Sequence, residues 1–243
     1  MIGLIVGSGF SDFPLEQSHT QVIETAYGQA EVVIGMLDKT RVALIYRHGV
    51  DHRYAPHRVP SRAQIAALKE LCVKAVIATA TVGGLSADNE PGHLTVPDQI
   101  IDYTSGRENT FWDAEHPTPI HVDFTEPFDQ TVREALLEAG KEAKIYLFDR
   151  GTYGCTQGPR LETAAEIRRM ITDGCHMVGM TAMPEAGLAR EAGLRYALLC
   201  GSVNWGAGLA DKSLNFEEIQ VVMKQVAAHM QSVIIAAVHA LNR

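Results

Sequence analysis

Short apolar runs that alternate with helical patterns along the whole chain are the feature that most constrains the fold. Strand-like runs occupy residues 2–6, 31–35, 41–46, 75–80, 99–103, 144–148, 177–180 and 196–203. Helical spacing of apolar residues covers 61–73, 129–143, 162–172, 184–192 and 216–241. Several strand-like runs are apolar throughout, as strands buried on both faces are. The alternation predicts an α/β fold, with a central mixed sheet flanked by helices, in one domain over residues 1–243.

Composition restricts the classes of partner. A chain of 243 residues that is 46% hydrophobic can bury a substantial core, and its net charge of −8 disfavours nonspecific binding to DNA or to an anionic membrane. No apolar run reaches the roughly 18 residues that span a bilayer. The apolar start has no basic residues before it, so we expect a first strand there and not a signal peptide.

Cysteine and histidine spacing bears on metals and on the cellular compartment. The cysteines are scattered, at Cys72, Cys155, Cys175 and Cys200. Without a CxxC pair they predict neither a zinc knuckle nor a thioredoxin motif, and reduced thiols are typical of a cytoplasmic protein. His48, His52 and His57 cluster in sequence, but no Asp or Glu stands where a third ligand would be expected. We therefore expect no metal site.

Four segments with small residues lie at or after predicted strand ends. They are residues 7–9, residues 81–84, the segment that begins at Thr181, and residues 202–205, each of which we expect to form a loop. Ligands of α/β folds bind at the carboxyl ends of strands, and small residues let backbone N–H groups approach a ligand closely. Together the four segments predict one site at one end of the sheet.

Two of the candidate site motifs suit an oxyanion. Gly7-Ser8-Gly9 follows the first strand, where N–H groups and a hydroxyl can hold phosphate, although the segment equally fits a tight turn. It lacks the third glycine of a dinucleotide fingerprint and the lysine of a P-loop. Arg47 and His48 end the strand at 41–46, where a guanidinium and an imidazole suit phosphate; alone, they also fit a solvated loop.

Two further residues suit a heterocyclic base. Glu162 follows a Gly-Pro turn at the predicted start of a helix, where it either complements the helix dipole or accepts N–H groups from a ligand. Asn204 follows an apolar strand, and its amide offers the donor and acceptor that a 6-oxopurine edge needs. Alone, Asn204 also fits a turn before Gly206 and Gly208.

Taken in order, these motifs resemble the trimeric purine nucleoside phosphorylase and methylthioadenosine phosphorylase family. The resemblance runs through GSG at 7–9, RHG at 47–49, VGG at 82–84, HVDFTEPF at 121–128, GPRLET at 158–163, VGMTAMPE at 178–185 and Asn204. It covers nearly the whole chain, and the GPxxET and GMTxxPE pair is specific. It implies a phosphate-dependent pentosyltransferase that converts a nucleoside and phosphate to a free purine and a pentose 1-phosphate.

The resemblance also implies a role for each site residue. The residues implied to hold phosphate are Ser8, Arg47, His48, Thr81 and Thr181. Those implied to bind the nucleoside are Val82, Leu161, Glu162, Met180, Asn204, Phe216 and His121. Arg47, His48 and Asn204 are implied to be catalytic, because the reaction needs positioned phosphate and a stabilised leaving base but no protein nucleophile. Inorganic phosphate is a co-substrate, and no cofactor is expected.

Glu162, Asn204 and Phe216 bear on the substrate. In the family, Glu and Asn at the first two positions accompany 6-oxopurines, and the methylthioadenosine branch has a small residue and Asp there. Phe216 stands where inosine-cleaving members have a His for the 5′-hydroxyl, and Phe can cover a methylthio group, although it also fits a core position. The three residues resemble the S-methyl-5′-thioinosine phosphorylase branch.

The resemblance leaves other functions open. Its His121–Phe128 stretch implies a homotrimer, because that stretch reaches the neighbouring subunit's site in the family. Pro60-Ser61, Thr81 and Trp205-Gly206 depart from the usual family residues, which puts the fine shape of the pocket in doubt. A methylthioadenosine phosphorylase, a general purine nucleoside phosphorylase, a nucleoside-binding protein without turnover and a hydrolase that uses water remain alternatives.

Overall fold

The fold is built on one mixed β-sheet, seen in a computed structural model that describes residues 1–10, 12–112, 121–210 and 216–242, with Phe216 described by its backbone alone. The first strands are β1 (Ile2–Val6), β2 (Glu16–Thr25), β3 (Gly28–Leu37), β4 (Thr40–Tyr46), β5 (Ala75–Gly84) and β6 (Leu94–Val96). The others are β7 (Gln99–Asp102), β8 (Leu147–Asp149), β9 (Thr152–Cys155), β10 (Met177–Gly179) and β11 (Arg195–Trp205).

Strand β5 is the branch point of the sheet. The main path runs β2-β3-β4-β1-β5-β10-β9-β7, and β11 pairs with β5 and then with β6, which pairs with β8. The start of β5 lies parallel to β1 and β11, whereas its last residues, Gly83 and Gly84, pair antiparallel with β10. The carboxyl ends of β1, β4 and β5 therefore meet β10 and β11 at one place, which is where the predicted site lies.

Five helices cover the sheet in the described part of the chain. They are α1 (Ser61–Glu70), α2 (Gln130–Glu142), α3 (Ala164–Thr172), α4 (Ala182–Glu191) and α5 (Phe216–Leu241). Helices α2, α4 and α5 contact β11, and α1 contacts β3 and α4. The main core lies between these helices and the sheet, where β1 is buried along its whole length. The predicted α/β class, with a mixed sheet flanked by helices, is confirmed; the single domain over residues 1–243 stays a prediction.

Helix α5 is the one described helix whose length and composition would allow it to cross a membrane, over Glu217–Leu241. Helices in protein cores pass the same test. The fully buried side chains of α5 recur at helical spacing: Val226, Met230, Val233, Ile234, Ala237 and Val238. This stripe packs α5 against α2 and β11, as the apolar face of a core helix does.

Several sequence expectations about the elements are wrong. Residues 81–84 and 202–205 are not loops but the ends of β5 and β11, whose parallel pairing continues past a bulge to Trp205 and Gly84. The strand expected at 144–148 lies at Leu147–Asp149 instead. Strands β2, β6 and β9 were not predicted. Helix α3 begins after Thr163, so Glu162 precedes it and does not lie in its first turn.

Candidate active site

One cavity of about 400 Å³ opens where these strand ends meet. Ten of the predicted site residues line it: Ser8, Arg47, His48, Thr81, Val82, Leu161, Glu162, Met180, Thr181 and Asn204. They come from the ends of four strands, β1, β4, β5 and β11, and from the two turns that follow β9 and β10. A second cavity of about 560 Å³ lies beside the first, and Glu162 lines both. The structure thus brings ten of the predicted site residues together around one cavity.

Arg47 lies at the bottom of the cavity, only 1% exposed. Its guanidinium forms a two-point ion pair with Glu185, at 2.6 and 2.8 Å, and a third N–H donates to the Thr79 carbonyl at 2.7 Å. Burial alone would lower the pKa of Arg47, but the Glu185 carboxylate outweighs burial and the pKa is raised. The ionised fork therefore binds Glu185, and two N–H groups remain without a partner among the described residues.

Gly7 brings the chain after β1 very close to Arg47. A Cβ atom at Gly7 would lie 2.8 Å from Arg47 Nη1, so a side chain there would collide with the guanidinium. Gly7 also donates its N–H to the Thr79 hydroxyl at 3.1 Å. Because Gly7 has no side chain, the Arg47 guanidinium can lie close to the turn that carries Ser8. A positive charge at that turn suits an anion bound there.

His48 and His52 form a stacked pair that lines the cavity next to Ser8. Their ring centroids are 4.9 Å apart, and His52 Nε2 is 3.2 Å from the Ser8 hydroxyl. His48 Nδ1 lies 2.8 Å from the Tyr54 carbonyl, which can only accept, so Nδ1 carries the proton. Burial, followed by the charge of Arg47, lowers the pKa of His48 to about 4. Near neutral pH the ring is uncharged, and its Nε2 is an acceptor.

Thr181 lines the same cavity from the start of α4. Its backbone N–H donates to the hydroxyl of Tyr153 at 3.3 Å, and its own side chain does not cap the helix. Tyr153 is fully buried, and burial raises the pKa of its phenol. Hydrogen bonding from the Thr181 hydroxyl and backbone N–H partly opposes that rise, so Thr181 lines the cavity with Tyr153 as its neighbour.

Glu162 lines the cavity and is held in place by a buried threonine, Thr156. The Thr156 hydroxyl donates to Glu162 Oε1 at 2.6 Å. Helix α3 is capped without Glu162, because Thr163 and Glu166 form a reciprocal capping box. The helix-dipole alternative for Glu162 therefore loses its support, and the carboxylate can accept N–H groups in the cavity.

Asn204 lines the same cavity from β11. Its Nδ2 donates to the Trp205 carbonyl at 2.7 Å, which orients the amide. Nδ2 also lies 3.3 Å from the position of a Cβ at Gly83, so β5 passes close behind it. The amide oxygen and one N–H keep no partner among the described residues. Asn204 therefore offers one donor and one acceptor in the cavity that the Glu162 carboxylate also lines.

The remaining predicted residues differ in position. Val82 is buried in the wall, Leu161 is 42% exposed at the rim, and Met180 is half-buried next to Gly158. His121 is exposed and does not line the described cavity. The side chain of Phe216 lies outside the described part of the structure, so its predicted role stays a prediction.

Several residues around the cavity were missed from the sequence. His52, Tyr54 and Pro159 line it, and Arg107 binds the turns beneath it. In the sequence His52 suggests only a metal ligand; its position shortly after the end of β4 is the signal that places it near the site. Within the described ranges, no three His, Cys, Asp or Glu side chains come together as metal ligands would.

Comparison with known proteins agrees with this geometry. The sequence profile of the "Phosphorylase superfamily" matches residues 1–239. This chain belongs to the phosphorylase superfamily. The predicted membership in the purine nucleoside and methylthioadenosine phosphorylase family is confirmed, and with it the enzyme class, a phosphate-dependent pentosyltransferase.

Relatives in the phosphorylase superfamily carry two kinds of name. The 6-oxopurine nucleoside phosphorylase of Pyrococcus furiosus is 40% identical over 242 residues, which cover 98% of this chain and 91% of that protein. A Xylella fastidiosa protein named "Probable S-methyl-5'-thioinosine phosphorylase" is 47% identical over 215 residues, 86% of this chain and 87% of that protein. Both names specify a nucleoside phosphorylase, and they differ in the substrate.

Solved structures of this superfamily match the fold over almost its whole length. Methylthioadenosine phosphorylase from Schistosoma mansoni in complex with adenine superposes with a TM-score of 0.93 at 28% identity, covering 99% of this chain and 91% of that one. A methylthioadenosine phosphorylase from an antarctic soil metagenomic library also gives 0.93, at 33% identity over 99% and 86%. The phosphorolysis of purine nucleosides predicted from the motifs is thus supported by sequence and by fold.

Proposed function

We propose that this phosphorylase cleaves S-methyl-5′-thioinosine with inorganic phosphate, giving hypoxanthine and 5-methylthioribose 1-phosphate. The observation that carries the base assignment is that Glu162 and Asn204 line the same cavity, with Thr156 donating to Glu162. A carboxylate accepts from N1–H of hypoxanthine, a proton that adenine lacks at that position. A polar group left unpaired by the wrong base discriminates strongly.

The opposite end of the cavity supports phosphate as the second substrate. Ser8, His48 and Thr181 line it, with Arg47 beneath and the backbone near Thr81 beside it. Neutral His48 accepts, through Nε2, the O–H of monoprotonated phosphate, and the hydroxyls of Ser8 and Thr181 donate to its anionic oxygens. Phosphate is then held for attack on the anomeric carbon, and Met180 lies between the two ends, against the pentose.

The departing purine takes up the electron pair of the glycosidic bond. An Asn204 N–H that points to the N7 and O6 side of the base stabilises the negative charge that develops there. Proximity and this charge stabilisation are the enzyme's contributions, and no covalent enzyme intermediate is required. Phosphate is the co-substrate, and we expect no cofactor and no metal.

Three further features of the proposal rest on the family resemblance. Phe216 covers the 5′-methylthio group, His121 reaches the site of a neighbouring subunit in a homotrimer, and the enzyme works in the cytoplasm. The proposal includes no nucleic-acid or membrane partner.

A general 6-oxopurine nucleoside phosphorylase is the second candidate. The Pyrococcus furiosus relative of that name covers 98% of this chain, more than the 86% covered by the Xylella fastidiosa relative. The two candidates share the base and differ only at the 5′ position. They therefore predict the same pocket for purine and phosphate.

Purine release from methylthioinosine, inosine and methylthioadenosine, with and without phosphate, tests the proposal. We expect phosphate-dependent cleavage with the largest kcat/KM for methylthioinosine. Equal or faster cleavage of inosine would favour the second candidate, and faster cleavage of methylthioadenosine would refute the base assignment. Release without phosphate would indicate a hydrolase, and binding without release a nucleoside-binding protein.

The base assignment has its own variant. Asn204→Asp should raise the kcat/KM ratio of methylthioadenosine to methylthioinosine, because a protonated Asp can donate to N7 of adenine. Asn89→Asp is the matched control, since Asn89 is a buried amide bonded to Thr95 and lies outside the cavity lining. An unchanged ratio in Asn204→Asp would count against contact between Asn204 and the base.

A further inference from the structure

Arg107 uses every N–H group of its guanidinium to bind the chain beneath the active site. Nε donates to Gln157 Oε1 at 3.1 Å, and the two Nη2 hydrogen bonds reach the carbonyls of Thr156 and Gln157 at 3.0 and 2.8 Å. The two Nη1 hydrogen bonds reach the carbonyls of Met180 and Met183 at 2.9 and 2.5 Å. Four of the five acceptors are backbone carbonyls.

These acceptors belong to two segments, one proposed to bind the base and the other proposed to bind phosphate. Residues 156–162, here the base turn, carry Glu162. Residues 180–183, here the phosphate turn, carry Thr181 and include the first two residues of α4. One rigid, planar group thus joins the two turns. Lysine could not replace it, because an ammonium has three donors and no planar fork.

Arg107 is itself held in place from the other side. Its segment continues to Thr110 and Phe111, whose side-chain hydroxyl and backbone N–H donate to Glu191 Oε2 at 3.1 and 2.8 Å. Glu191 lies at the end of α4, the helix that follows the phosphate turn. The guanidinium therefore rests on a fixed part of the fold and can impose a fixed separation on the two turns.

The geometry points to Arg107 as a positioning residue that sets the distance between the base turn and the phosphate turn, and with it the distance between the anomeric carbon and the attacking phosphate. It touches neither substrate and acts through Glu162 and Thr181. The inference rests on the proposed function for the roles of those two residues. Misplacement of reacting groups by about 1 Å costs roughly 100-fold in rate.

The test compares Arg107→Ala and Arg107→Lys with the wild type, with phosphate and nucleoside varied separately. We expect kcat/KM to fall by about 100-fold in Arg107→Ala, with KM raised for both substrates and kcat reduced. Arg107→Lys keeps the charge but should recover less than about a tenth of the wild-type value, because it cannot reach both turns at once. Added guanidinium ion should restore part of the activity of Arg107→Ala, but not of Arg107→Lys.

Arg133→Ala is the matched control. Arg133 also binds two backbone carbonyls, those of Val96 and Pro97, and an acidic side chain, Asp149, but it does not line the cavity. Its loss should lower the unfolding temperature, while kcat and both KM values per folded molecule stay close to those of the wild type. This control separates a loss of stability from a loss of positioning.

Two outcomes would overturn the inference. One is a folded Arg107→Ala enzyme with kinetic constants within about twofold of the wild type; the other is a change in KM for only one of the two substrates. If Arg107→Ala does not fold, Arg107→Lys decides by the same criteria. An inactive wild-type enzyme would instead refute the proposed function, so the two failures are distinguishable.

Discussion

The unusual state of His48 makes the stability of this enzyme depend on pH in a predictable direction. The His48 side chain is only 7% exposed, and it faces Arg47, His52, the Tyr54 carbonyl and, further away, Glu185. Burial first and Arg47 second lower its pKa from 6.5 to about 4, and the Tyr54 carbonyl and Glu185 only partly oppose them. The folded protein therefore resists a proton that the unfolded chain accepts.

The sign and size of the effect follow from this difference. Well above pH 6.5 both states are neutral at His48 and the free energy of unfolding does not depend on this group. As the pH falls, the unfolded state gains the proton first, and stability is lost until the folded ring also protonates near pH 4. With one pKa unit worth about 1.4 kcal/mol, the loss is about 2 kcal/mol at pH 5 and approaches about 3 kcal/mol at pH 4.

Urea unfolding of the wild type and of His48→Asn between pH 7.5 and pH 5 measures this loss. Asn keeps a donor near the position of Nδ1 but cannot titrate, and the other histidines are common to both proteins. The wild type should lose about 2 kcal/mol more than the variant over that range, in buffer free of phosphate. A difference that is flat with pH, or that grows as pH rises, would refute the assignment of a depressed pKa to His48.

Phosphate supplies a second readout of the same group. An anion bound beside His48 favours the charged ring and raises its pKa, so phosphate binding at pH 5.5 should take up more protons, or release fewer, in the wild type than in His48→Asn. The proton that phosphate itself exchanges is common to both proteins, and calorimetric titration of phosphate in two buffers of different ionisation enthalpy detects the difference. Uptake that persists unchanged in His48→Asn would place the proton on another group.

Three other changes have expected outcomes. Glu185→Gln should lower the free energy of unfolding by about 3 to 5 kcal/mol in urea, because it leaves Arg47 buried without its charge partner; a loss below about 1 kcal/mol would contradict this. Gly158→Ala should lower the free energy of unfolding by about 1 to 2 kcal/mol and raise the nucleoside KM, because φ at Gly158 is +59° and a Cβ there would lie 2.5 Å from Met180 Sδ. Unchanged stability together with an unchanged KM would contradict this expectation. Phe216→His should raise kcat/KM for inosine relative to methylthioinosine, and no change in this ratio would remove Phe216 from the 5′ pocket.

Part of the fold follows directly from the sequence because burial leaves a pattern. Strands β1 and β5 are buried almost throughout, and their apolar runs stand out. Strand β2 leaves no such pattern, because eight of its ten residues are exposed and its side chains are mostly polar. Strands β6 and β9 have three and four residues, too few for a period to be recognised.

The site could be predicted only as far as local motifs reach. Ser8, Thr181 and Asn204 lie at strand ends that apolar runs make visible. The partnership of Arg47 with Glu185 joins residues 138 positions apart, and it occupies the fork that the sequence assigned to phosphate. Arg107 has no local signal, because four of its five acceptors are backbone carbonyls about 50 and 75 positions away, which carry no side-chain signature.

The arrangement of the site explains how relatives of one fold can carry names for different nucleosides. Glu162 and Asn204, which we propose bind the base, lie on the turn after β9 and on β11, whereas Ser8 and His48, which we propose bind phosphate, follow β1 and β4. The proposed contact with the 5′ group comes from a third part of the chain, near the start of α5. Because separate elements carry the three contacts, a change of base or of 5′ group leaves the phosphate pocket intact. The reaction can therefore stay the same while the substrate changes, provided that the base and phosphate turns keep the separation that Arg107 sets.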